Sequence, residues 1–61
     1  MSGVEHDGDL AVLAGVPVWR LALLDVRDAR ACYPHLTYEQ IAEAHQYAHD
    51  HPDEIARDKG K

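Results

Sequence analysis

The residues best suited to chemistry are histidines. His45 and His49 stand four apart, a spacing that puts both on one face of a helix and can hold a metal ion. His35 and His51 could add ligands. A closed site needs a third or fourth convergent ligand and outer partners, and no Cys-x-x-Cys accompanies the pair. Around a helical wheel His45 adjoins Ile41 and Ala48, where a side chain flanks a core or an interface. His45 and His49 are therefore only weak metal candidates, and the expectation is no metal and no cofactor. Cys32 is the one cysteine, which excludes an internal disulfide framework and reads as a packed thiol. A Cys/His catalytic pair has only composition behind it. No nucleophile, base and orienting carboxylate are visible together, so the chain reads as a non-enzyme.

The elements that must position these side chains follow from local signals. Thr37 precedes Tyr38-Glu39-Gln40, a capping box that opens a helix, with Leu36 and Ile41 at the staple positions. Ile41, Ala44 and Ala48 give that helix a narrow apolar stripe, and Pro52 stops it near His49–His51. Pro52–Ile55 could form one more short turn. Upstream, the run Leu10–Leu13 favours a short strand, with a turn near Gly15. Pro17 suits the first turn of a helix. Trp19, Ala22, Leu23 and Val26 then share a face, on which a longer helix would also place Arg30. Asp25 is a good N-cap with Asp28 three residues on. The reading is a helix over Val18–Leu24 and another over Val26–Cys32, with one bent helix as the alternative. Tyr33-Pro34 ends the second.

These pieces predict a mainly α fold. It is a small helix-turn-helix bundle of about three helices with a short N-terminal β-strand, turning at Tyr33-Pro34-His35-Leu36. A plain helical hairpin fits the same signals. Residues 10–55 form the domain. Residues 1–9 and 56–61, polar and glycine-containing, read as flexible tails.

Composition narrows the function. The chain has 61 residues, a net charge of −5 and no Phe. That leaves no room for a nucleotide-binding α/β sheet and makes for a thin core. A homodimer is therefore expected, with Leu10, Val12, Leu21 and Leu24 as its interface. Leu21 and Leu24 point away from the Trp19 face. Residues 36–55 hold Glu39, Glu43, Asp50, Asp53 and Glu54 with no Lys or Arg. Met1–Asp7 has no signal-peptide character. Leu10–Trp19 is too short to span a bilayer and runs straight into Arg20. The expected compartment is the cytoplasm, with no membrane partner.

The run Tyr33-Pro34-His35-Leu36-Thr37-Tyr38-Glu39-Gln40-Ile41-Ala42-Glu43-Ala44, continued by Tyr47-Ala48 and His51-Pro52-Asp53-Glu54-Ile55, resembles the bacterial domain-of-unknown-function family 433. That family carries Tyr-Pro-x-Leu-Thr before an Ala-rich helix with a Tyr-Ala pair. Leu13-Ala14-Gly15-Val16-Pro17-Val18-Trp19 is similar to its Gly-Thr-Arg-Ile-Pro-Val segment but lacks the Thr-Arg, and Arg30 replaces an aliphatic residue. The resemblance implies a homeodomain-like fold and kinship with antitoxins of toxin–antitoxin pairs. The expectation is an antitoxin-like module that dimerises and neutralises a basic, nuclease-type (PIN-like) toxin through Glu39, Glu43, Tyr47 and Asp50. The alternative is a helix-turn-helix transcriptional regulator touching DNA with Gln40, Gln46, Arg27 and Arg30, although weakly unless a partner is present. A His-based metal-binding protein comes third.

Overall fold

A computed structural model describes residues 3–60. The strands are β1 (Val4–Asp7), β2 (Leu10–Leu13) and β3 (Val16–Pro17). The helices are α1 (Val18–Leu23), α2 (Val26–Cys32), α3 (Tyr38–Asp50) and α4 (Pro52–Lys59). The fold is mixed α/β, with a three-stranded antiparallel sheet and four helices. This corrects the expected three-helix bundle with a single strand.

Two elements make the difference. β1 lies where a tail was expected, paired to β2 with Val4 opposite Leu13 and Asp7 opposite Leu10. Gly8 and Asp9 form the two-residue turn, and Gly8 takes φ 64°, the positive value that such a turn needs at its first central position. α4 extends the expected short turn from Pro52 to Lys59, replacing most of the predicted C-terminal tail. Proline starts it, Asp53 and Glu54 occupy its first turn, and Arg57 and Lys59 its last. Both charge placements suit the helix dipole. The parts of the two tail expectations that fall on residues 1, 2 and 61 lie outside the described residues.

The second hairpin turns at Ala14 (φ 53°) and Gly15 (φ 82°), and β3 stops at Pro17 because Val18 opens α1. Asp25 separates α1 from α2. Its Oδ1 accepts the Asp28 N–H at 2.8 Å, the expected N-cap, so residues 18–32 form two helices. The capping box of α3 is complete. Thr37 Oγ1 accepts the Gln40 N–H at 3.1 Å, and Gln40 Oε1 accepts the Thr37 N–H at 2.8 Å.

The core joins Ala11 and Leu13 of β2, Val16 of β3, Val18 and Leu21 of α1, Ala29 of α2, Leu36, and Ile41 and Ala44 of α3. Leu21 is fully buried, which removes it from the expected dimer interface. The core face of α1 is Val18 and Leu21. Leu23, expected on the buried face with Trp19, is 59% exposed. Six residues with apolar groups on both sides left that choice to the packing. Cys32, expected as a packed thiol, is exposed at the end of α2. No helix among the described residues is long and apolar enough to cross a membrane.

Candidate functional site

α3 carries the most distinctive surface. Successive helical residues are ~100° apart, so Glu39, Glu43, Gln46 and Asp50 fall within a sector of about 60°. This sector lies opposite buried Ile41 and Ala44. Glu39, Gln46 and Asp50 are exposed, and Gln46 Nε2 donates to Asp50 Oδ1 at 3.1 Å. Glu43 is half-buried against the start of β1. A Cβ on Gly3 would sit 2.8 Å from Glu43 Oε2, so the acidic stripe abuts the edge of the sheet. No lysine or arginine interrupts it along α3.

Tyr47, the fourth expected contact residue, is turned into a polar knot instead. Its hydroxyl donates to Glu54 on α4, 2.8 Å from Oε1 and 2.9 Å from Oε2. His6 of β1 reaches the same carboxylate, with Nε2 2.9 Å from Oε1. The His51 ring lies against Tyr47 with 4.4 Å between centroids. Burial, then the hydrogen bond to Glu54 and its charge, push the Tyr47 hydroxyl up to about 12. The hydrogen bonds from His6 and Tyr47 hold Glu54 below its usual range. Through these bonds the knot clasps β1, α3 and α4 together. Sequence reasoning missed His6 and Glu54 as partners of Tyr47, because 41 residues separate His6 from Tyr47.

His45 has a structural task. Its Nε2 lies 2.9 Å from Leu21 O and 2.8 Å from Leu24 O, both acceptors, so this nitrogen carries the proton. It caps the end of α1, where Leu21 O also accepts the Leu24 N–H at 3.2 Å. His49 is exposed on the outside of α3. Among the described residues no three His, Cys, Asp or Glu side chains converge to hold an ion.

The residues expected to touch DNA are dispersed. Arg30 Nη1 donates to Leu36 O at 2.6 Å, and its guanidinium lies 4.7 Å above the Tyr38 ring. This pairing tethers α2 to the turn before α3 and accounts for an arginine near an apolar stripe. Gln40 is bound in the capping box, and Gln46 is bonded to Asp50. Arg27 is exposed on α2. Leu10, Val12 and Leu24 are half-buried. No family model, curated protein or solved structure matches this chain.

Proposed function

We propose that this chain is an antitoxin-like protein-interaction module that covers a basic surface on a nuclease-type partner. The observation that carries the reading is the outward face of α3, where Glu39, Glu43 and Asp50 stand together without a lysine or arginine. A surface that holds RNA phosphates is positively charged, and an acidic helix laid across it is its electrostatic complement. The resemblance of residues 33–55 to family 433 supports the same reading. Self-association, where it occurs, falls to Leu23 and Leu24 at the end of α1, since Leu21 is committed to the core.

The test is co-expression with the product of the neighbouring gene. Co-purification is expected, with rescue of growth if that product is toxic. The triple variant Glu39→Lys, Glu43→Lys, Asp50→Lys should stay folded by circular dichroism and release the partner. A triple variant that retains the partner at physiological salt would refute the α3 assignment.

A further inference from the structure

We infer that the outer face of the sheet, Leu10, Val12 and Pro17 edged by Glu5 and Asp7, is a second docking surface for a basic protein segment with apolar anchors. Side chains alternate across a strand, and the register settles which share a face. Ala11, Leu13 and Val16 look into the core and are buried. Val12 stands opposite both Glu5 on β1 and Pro17 on β3, and Leu10 stands opposite Asp7. These five therefore lie together on the other face. Leu10 and Val12 are half-buried, yet they neither join the core cluster nor pack against it. Apolar side chains are gathered here on a face to which the protein's own core contributes no packing.

Charge decides the occupant. Glu5 and Asp7 line the β1 side of the apolar row and are exposed, while at the hairpin turn Arg57 donates to Asp9 O, so the acidic rim is Glu5 and Asp7. A second copy laid on this face would bring two such acidic rims together, and like charges at an interface disfavour the pairing. A basic partner meets them favourably and seals Leu10, Val12 and Pro17 from water. The surface also adjoins the α3 stripe, because a Cβ on Gly3, just before β1, would sit 2.8 Å from Glu43 Oε2. One partner can engage both. The inference thus deepens the proposed function and rests on its basic partner, but it places the apolar anchor on the sheet.

The test uses two synthetic peptides, one alternating Leu and Lys and one alternating Leu and Glu, titrated into the full chain and followed by methyl and amide NMR. The Leu/Lys peptide should shift the Leu10 and Val12 methyl signals, and salt should weaken its binding. The Leu/Glu peptide should not bind. Leu10→Thr with Val12→Thr should weaken binding about tenfold or more. Glu5→Gln with Asp7→Asn should weaken it less and flatten its salt dependence. The α3 triple-lysine variant should still bind through the sheet, so a failure of the α3 reading leaves this result standing. Equal binding of both peptides, binding of neither, or concentration-dependent dimerisation that shifts the same methyl signals would each overturn the inference.

Discussion

The Asp58 carboxylate stands in for a missing strand beside Ala11. β3 ends at Pro17, opposite Val12, so the strand offers no acceptor further along to the Ala11 N–H. Asp58 Oδ2, from α4, accepts it at 3.3 Å, and the residue is only 2% exposed. The bond ties the last helix to the central strand. Asp58→Ala leaves a buried donor unanswered and should cost ~1–3 kcal/mol in chemical denaturation. Asp58→Asn keeps an acceptor and should cost less. Equal melting of Asp58→Ala and wild type would show that the bond contributes nothing.

His45 makes a second prediction. Its imidazole holds Leu21 O and Leu24 O at the end of a six-residue helix that has little stability of its own. His45→Ala should destabilise by about 1–2 kcal/mol and raise amide exchange through α1 first. Zinc should leave the melting temperature of the wild type unchanged, because among the described residues no three His, Cys, Asp or Glu side chains converge to hold an ion. A stoichiometric rise on adding zinc, lost in His49→Ala, would contradict this.

The parts of the fold written in short-range chemistry are legible in the sequence. Thr37 with Gln40, Asp25 with Asp28, and Gly15 each act within a few residues, and the structure keeps all three. β1 is not legible, because Val4-Glu5-His6-Asp7 has no apolar alternation and is a strand only by pairing with β2. α4 is obscure for a related reason. Ile55 is its one large apolar anchor, and the burial of Asp58 depends on Ala11, 47 residues away. The α3 stripe could be read from spacing alone. The clasp of Tyr47 by Glu54 and His6 could not, because β1 had to be in place first.

That clasp gives the stability a defined pH dependence. Glu54 is depressed when folded, so its contribution is fully present above its ordinary value near 4.5 and is lost as pH falls through the lowered value. Tyr47 is raised from 10.0 to about 12, so its contribution is present below pH 10 and is lost as pH climbs towards 12. Glu54→Gln should be less stable than wild type at neutral pH and should close the gap in acid. In ultraviolet titration it should also bring the Tyr47 phenolate down. A Tyr47 that titrates at the same pH in both proteins would show that Glu54 does not act on it.

Ala14 offers a stabilising substitution. It holds φ 53° at the first central position of the β2–β3 turn, with Gly15 at φ 82° at the second. A left-handed conformation costs an ordinary L-residue ~1–2 kcal/mol. Two-residue turns with both central angles positive favour Asn-Gly. Ala14→Asn should therefore raise stability by roughly 0.5–1 kcal/mol. Ala14→Gly should gain less, since glycine also loosens the unfolded chain. Ala14→Val should lose stability. A ranking with valine above asparagine would mean that the turn adopts another geometry.

DNA binding by the isolated protein should be weak. In a helix-turn-helix reader the second helix approaches the phosphates, and attraction to them supplies essentially all of the non-specific affinity. The DNA-binding alternative would give that role to α3, whose outward face carries Glu39, Glu43 and Asp50. Arg30 is held by Leu36 and Tyr38. Arg57 donates to Asp9 O at 3.3 Å, away from α3. Arg20 on α1, Arg27 on α2, and Arg57 and Lys59 on α4 are exposed, but they are spread over three elements and do not offset a chain of net charge −5. Fluorescence anisotropy at physiological salt should place binding at the non-specific level of ~10⁻⁴–10⁻⁶ M or weaker. Glu39→Gln, Glu43→Gln and Asp50→Asn together should tighten it by removing the repulsion, without creating sequence preference. Nanomolar, sequence-dependent binding of the wild type to its own upstream region would instead make α3 a recognition helix and displace the protein-binding reading.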